Sequence, residues 1–206
     1  MIKAKHNPLV YGFFKLYARL KIKRHFQDVV ISGEVNTKEK ALLLISNHIS
    51  WWDGFWALDL NRLLFRKKFH FMMDESALKE RWLFAYTGGF SISHRKKSMI
   101  ESIQYTSDLL LDAENMVLIY PQGKLYSSHS RDIIFKKGIE RIQFDEKNPA
   151  QVFFLVQLTD YFQFEKPTLY LYLGEADDDI YIKKNYEEQY REFYNQCLKK
   201  HSQIIV

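Results

Sequence analysis

Residues Ala41-Leu42-Leu43-Leu44-Ile45 form an unbroken apolar run. A strand with apolar side chains on both faces must be covered on both faces, so the run calls for a layered domain rather than a one-sided sheet. Comparable strand-like runs lie at Val29 to Val35, Phe69 to Met73, Phe90 to Ser93, Met116 to Tyr120, Val152 to Leu158 and Thr168 to Leu173. Between and around them apolar residues recur at helical spacing, over Trp51 to Phe65, Ala77 to Tyr86, Met99 to Leu111 and Tyr186 to Leu198. Strands alternating with helices predict a single α/β domain with a largely parallel central sheet flanked by helices. In such sheets ligands collect where strands end and helices begin.

The chain of 206 residues is long enough to bury a core of two or more layers, and it shows no internal repeat, low-complexity tract or linker. Aromatic residues make up 16%, a density that fills cores and also gathers at lipid headgroups. The net charge of +5 favours an anionic partner without choosing one, because 30 Lys and Arg stand against 25 Asp and Glu. Basic residues mixed with aromatics also occur in nucleic-acid binders, but no RNP, KH or zinc-finger pattern is present, and no nucleic-acid partner is expected. The single cysteine, Cys197, excludes an intramolecular disulfide and fits a reducing compartment. On the last amphipathic helix, with Tyr190, Phe193 and Tyr194, it reads as a core residue. The short acidic run Asp177-Asp178-Asp179 suits a solvated loop.

No apolar stretch reaches the ~18 residues of a spanning helix, and Met1 to Pro8 lacks the apolar run of a secretory signal. The expected location is cytoplasmic, peripherally at the inner face of a membrane. The N-terminal unit, residues 1–26, supplies the reason. From Pro8 to Phe26, Leu9, Phe13, Leu16, Tyr17 and Leu20 recur at helical spacing beside Lys15, Arg19, Lys21, Lys23 and Arg24. A basic amphipathic helix of this kind lies in a membrane interface or packs on its own domain, residues 27–206.

The segment Ser46-Asn47-His48-Ile49-Ser50-Trp51-Trp52-Asp53-Gly54 leaves the buried strand and enters a helix. On one regular helix His48 and Asp53 would stand about 140° apart and could not meet. They can meet if His48 sits on the preceding loop and Ser50 caps the helix, since the chain then folds back over the first turn. Ser50 and Asp53 do read as a Ser-x-x-acid capping signal. The spacing alone therefore admits two readings: a helix cap beside a loop histidine, or a pair in which Asp53 holds one imidazole nitrogen and leaves the other as a proton acceptor. A histidine suits general-base work near neutrality, with an unperturbed pKa of ~6.5.

The Asn-His-x-Ser-x-x-Asp core at residues 47–53 resembles the first block of the glycerolipid acyltransferases, the family with a His-x4-Asp signature that includes the lysophosphatidate acyltransferases. Further blocks follow in the family's order. Gly89 to Arg95 is similar to the second block, Tyr120-Pro121-Gln122-Gly123 to the third, and Phe135-Lys136-Lys137-Gly138 to the basic stretch that follows it. The resemblance implies that His48 and Asp53 activate an acceptor hydroxyl for attack on an acyl thioester, carried by CoA or acyl carrier protein. It implies no metal or cofactor, and no cluster with metal-ligand spacing appears in the sequence. Carried over to this chain, the acceptor site falls on Arg95, Gln122, Gly123 and Lys124, and the partners are the donor, a lipid acceptor and a membrane surface.

The third block departs from the family's usual Glu-Gly-Thr-Arg, reading Gln122-Gly123-Lys124-Leu125, and the acid of the second block is replaced by His94. The base machinery is retained while the phosphate-reading part is altered, so the acceptor is expected to be lysophosphatidate-like or another lipid. A non-catalytic lipid-binding relative is the alternative. Trp51, Trp52 and Trp56 crowd one short helix, as core residues or as a wall of an acyl tunnel.

Overall fold

A computed structural model gives the fold, and it describes every residue except 37–38, 94, 145–149 and 178–184. His94, Asp178 and Asp179 thus lie outside the described residues. Among the described residues seven strands form one sheet: β1 (Val29–Ser32), β2 (Leu42–Ser46), β3 (Lys68–Asp74), β4 (Gly89–Ile92), β5 (Asn115–Ile119), β6 (Gln151–Asp160) and β7 (Thr168–Glu175), in the order β1-β7-β6-β2-β5-β3-β4. Every neighbouring pair is parallel except β6 and β7, which run antiparallel. β2 lies between β6 and β5, and Leu42 to Ile45 are wholly buried, as a strand covered on both faces requires.

Strand alternation divides the core in two. Leu42, Leu44, Met116 and Leu118 face helices α1 (Pro8–His25) and α2 (Asp53–Leu60). Leu43, Ile45, Val117 and Ile119 face α4 (Lys96–Leu109) and α5 (Tyr186–His201), whose Ile103, Tyr190, Tyr194 and Cys197 close that side. Burial pushes the Cys197 thiol up to about 12, so it sits there as a small apolar group. Each apolar side chain fully removed from water contributes ~1.5–3 kcal/mol, so this double layer holds the sheet between its helices.

Two helical stretches differ from the apolar pattern. The stretch from Trp51 begins as a turn, with α2 starting at Asp53 and continuing into a π-helical turn, Asn61–Phe65, that stops at Arg66 in the left-handed region. The helix expected over Ala77 to Tyr86 is two pieces, α3 (Glu75–Glu80) and a 3-10 helix, Trp82–Thr87. Helix α1 is integrated with the domain rather than set apart from it. Asn7 caps it by accepting from the Leu9 and Val10 amides, and Pro8 occupies its first turn. Its Ala18 and Ile22 are buried against α2, with Tyr11, Phe14 and Tyr17 partly so. The residues before it cover the free edge of β4, where the Ser91 amide donates to the Ile2 carbonyl at 2.9 Å.

Candidate active site

β2 and its parallel neighbour β5 send their connections to opposite faces of the sheet. After β2 the chain turns to α2 on one face; after β5 it crosses the other, where Ile133, Phe135 and Ile142 join the core. Such a divergence leaves a crevice at the carboxyl ends of the strands. His48 enters it from β2, and Tyr120 to Lys124 from β5.

The first side chain past β2 fixes the exit. Asn47 is fully buried, accepts from the Gln157 amide at 2.8 Å and donates to the Gln157 carbonyl at 2.9 Å. Its side chain thereby continues the β2–β6 ladder while the backbone leaves it. The next residue, His48, donates its amide to Gln122 Oε1 at 2.8 Å and accepts from the Tyr126 amide at 2.9 Å. Both backbone groups of His48 are anchored on the loop after β5.

The His48 ring meets Asp53. Nδ1 lies 2.8 Å from Asp53 Oδ2, which also accepts from the amides of Ile49 at 2.7 Å and Ser50 at 2.9 Å. The Ser50 hydroxyl in turn accepts from the Trp52 amide at 3.2 Å. Ser50 does not cap α2 as its spacing suggests: the N-cap is Trp52, without a side-chain cap bond, because Asp53 begins the helix and turns its carboxylate back to close the preceding turn and hold the imidazole. Burial pushes the Asp53 carboxyl above its ordinary value, opposed by hydrogen bonds from His48 and from the Ser50 and Ile49 amides. An ionised Asp53 accepts the hydrogen bond of the Nδ1–H and leaves Nε2 as an acceptor. Tyr120 stacks on the other side of the imidazole, at 4.3 Å between centroids and 15° between planes. Burial, followed by the charge of Asp53, pushes the Tyr120 phenol well above its ordinary range, so it remains neutral beside the ring.

His48 opens on a cavity of about 530 Å³. Its walls are mostly apolar, and Trp51 and Phe55 extend them next to His48. An added Cβ on Gly54 would meet nothing within 4 Å, so this glycine leaves the wall open just beyond Asp53. The cavity's polar lining carries Asp74, Thr87 and Ser93 as well as Gly123, Lys124, Lys136 and Lys137. Gly123 has φ +62°, and a Cβ there would come within 2.7 Å of Lys136 Nζ; a glycine is needed both for the turn and for the lysine that crosses it.

The residues expected for the acceptor site separate. Gly123 and Lys124 are on the cavity with His48, joined by Lys136 and Lys137. Gln122 is only 2% exposed and faces inward, holding the His48 amide rather than lining the cavity. Arg95 is an exposed residue at the start of α4, off the cavity wall, and its charge acts on Glu75. The reason lies in β4, which ends at Ile92 on the sheet's edge and delivers Arg95 beyond the rim. Lys136 takes part instead because its amide donates to the Pro121 carbonyl at 2.9 Å, folding the basic stretch back over Gly123. Of the three Trp residues, Trp56 is core, Trp52 is half-buried, and Trp51 is an exposed part of the cavity wall. No group of side chains able to hold a metal ion occurs among the described residues.

A family model described as Acyltransferase matches residues 28–150. Among solved structures, the crystal structure of the 1-acyl-sn-glycerophosphate (LPA) acyltransferase, PlsC, from Thermotoga maritima is similar, with a TM-score of 0.66 and 16% identity over 95% of this chain and 81% of that chain. At that identity the likeness is one of fold. No curated protein matches the chain.

Proposed function

The chain belongs to the acyltransferase family, and from that premise we propose that it moves a fatty acyl group from an acyl thioester to the hydroxyl of a lysophosphatidate-like or other lipid acceptor. The observation that carries the reading is His48: Nδ1 sits on Asp53 at 2.8 Å while the ring borders an apolar cavity with lysines at its rim. An alcohol is a poor nucleophile until its proton has somewhere to go. Nε2 of His48 takes that proton as the acceptor oxygen bonds to the thioester carbonyl carbon. Asp53 steadies the imidazolium that results, and Tyr120 presents the face of its ring to the same cation. The tetrahedral intermediate then expels the thiolate, which recovers the proton from His48. The products are a thiol and an ester, and the base is restored. A positioned base of this kind contributes ~10²–10⁴ in rate.

Substrates with long apolar chains reside in bilayers, and the outer face of α1 suits one. Leu9, Phe13, Leu16 and Leu20 are exposed by 84, 62, 56 and 57%. Basic residues Lys23, Arg24 and His25 close the same helix. No helix of the described residues is long and apolar enough to cross a membrane. The protein works as a peripheral one, at the cytoplasmic face of an anionic membrane.

The test is transfer itself. Purified protein is given acyl-CoA or acyl carrier protein with a panel of lysolipids, and both free thiol and acylated product are followed. Thiol release that requires an acceptor and vanishes in His48→Ala supports the reading. Lipid binding without thiol release from either donor would overturn it in favour of a non-catalytic lipid-binding protein.

A further inference from the structure

The cavity beside His48 touches both faces of the sheet. A cavity on one face contacts alternate residues of a strand, yet this one is lined by Phe71, Met72, Met73 and Asp74 in succession. Phe71 packs with the α1/α2 side of the core and Met72 with the α4/α5 side. The stagger of the strand ends makes the passage possible. β5 stops at Ile119 and pairs with β3 only as far as Phe71↔Leu118, so Met72 to Asp74 have β4 as their sole strand neighbour. Above Ile119 the sheet has a gap, bounded by His48 and Tyr120 on one side and the overhang of β3 on the other.

Two apolar arms leave that gap. One, on the α1/α2 face, is aromatic and lined by Phe14, Phe55, Phe69 and Phe84. The other, on the opposite face, is aliphatic: Met99 and Ile103 from α4 and Ile139 and Ile142 from the connection after β5. The lysines belong to the second arm. Lys136 and Lys137 directly precede Gly138, whose φ is +133° and whose added Cβ would lie 3.0 Å from Ile103 Cδ1. The chain thus passes without interruption from the cationic rim to the wall of the aliphatic arm.

We propose that the two arms hold two chains at once, the donor's acyl chain in the aromatic arm and the acceptor's own chain in the aliphatic arm, with the acceptor's phosphate on Lys124, Lys136 and Lys137. This rests on the acyl-transfer reading above, and it names the acceptor as a single-chain lipid carrying an anionic phosphate head. The geometry gives such a molecule one orientation: chain under the connection after β5, phosphate at the rim, and the free hydroxyl between them at His48. A thioester entering from the other face meets that hydroxyl at the gap. Charge complementarity selects the acceptor over a neutral lipid, since three cations, Lys124, Lys136 and Lys137, stand at the mouth of this arm against one carboxylate of the cavity lining, Asp74.

Each arm is tested by filling it. Met99→Trp narrows the aliphatic arm, with Ile139→Phe as a second variant should the first fail to fold, and Gly54→Leu projects into open space on the other face. Transfer is measured over a matrix of short, medium and long donors against short, medium and long lysophosphatidates. Met99→Trp is expected to raise KM for long-chain acceptors ~10-fold or more and to leave the donor profile unchanged, while Gly54→Leu shifts the donor profile alone. Binding of a fluorescent alkyl phosphate is measured alongside, with lysophosphatidate and free CoA as competitors. Loss of this binding in Met99→Trp but not in Gly54→Leu, with displacement by lysophosphatidate only, supports the assignment. If wild-type protein binds the alkyl phosphate in this way yet transfers nothing, the acyl-transfer reading falls and the chain-binding arm stands. Variants that both shift the same substrate, or CoA displacing the alkyl phosphate, overturn the proposal.

Discussion

The His48 corner and the lysine rim border one cavity, yet they are built in opposite ways. In the corner, Asn47, Asp53 and Gln122 are buried, and the backbone of His48 is tied at both its amide and its carbonyl. At the rim, Lys124, Lys136 and Lys137 are exposed on the connection after β5. Proton transfer requires atoms fixed within tenths of an ångström, whereas a point charge acts over several ångströms and tolerates movement. One region is organised for geometry and the other for charge. The consequence is that equal-sized substitutions in the two should have very unequal effects.

The largest effect belongs to the corner. His48→Ala and Asp53→Asn should each lower kcat by ~10²–10⁴, with Asp53→Asn leaving the fold intact because its side-chain oxygen can still accept from Ile49 and Ser50. The two groups act as a unit, so the double variant should be scarcely slower than either single one. Additive losses, measured by steady-state kinetics, would show that the pair does not work as one base.

Gln122 sharpens the contrast, since it lies in the altered block yet belongs to the corner. Gln122→Ala strands the half-buried His48 amide, which costs about 1 kcal/mol or more and should lower kcat about tenfold through misplacement of the ring. Gln122→Glu keeps an acceptor oxygen and should recover most of kcat. If the Glu variant is as slow as the Ala variant, anchoring of His48 is not what the residue provides.

The rim should respond more weakly and in a different constant. Lys136→Gln is expected to raise KM for a phosphate-bearing acceptor ~3–10-fold at unchanged kcat, because an exposed charge contributes little once screened. The increase should shrink in high salt. Arg95→Gln, off the cavity, should change neither constant; a larger effect from Arg95 than from Lys136 would move the anion site back to the second block.

The same contrast explains what was legible in the sequence. The strand Leu42–Ser46 announces itself by its apolar run, and the His48–Asp53 pair falls five residues apart across one strand-to-helix turn, although Ser50, which reads as its cap, leaves that position to Trp52. Short-range geometry is written locally. Arg95 and Lys136 were not separable in that way, because their positions depend on where β4 ends at the sheet's edge and on a loop folding back through Pro121. The antiparallel pairing of β6 with β7 was hidden too, since an apolar strand reads alike in either direction. The two-armed cavity depends on the stagger of three strand ends, a property of no single segment.

Helix α1 carries the contrast to the surface, and its effect on solution chemistry should be the smallest. One face is structural: Phe14 packs against Phe84 with ring centroids 5.3 Å apart and lines the cavity, while Ala18 and Ile22 are buried. The other face presents Leu9, Phe13, Leu16 and Leu20 to solvent. Removing residues 1–26 would strip the core as well as the outer stripe, so truncation cannot separate the two roles. Replacing Leu9, Phe13, Leu16 and Leu20 together by Gln does separate them. The variant should keep the wild-type circular dichroism and turn over a short, monomeric acceptor at nearly the wild-type rate. It should lose flotation with anionic vesicles and, with it, activity on acceptors embedded in them. Wild-type flotation should weaken with salt without vanishing, because cations near the surface contribute ~1 kcal/mol each and are screened, whereas apolar burial is not. A folded quadruple variant that still floats would assign membrane contact to another surface, and the exposed stripe of α1 would then need a different partner.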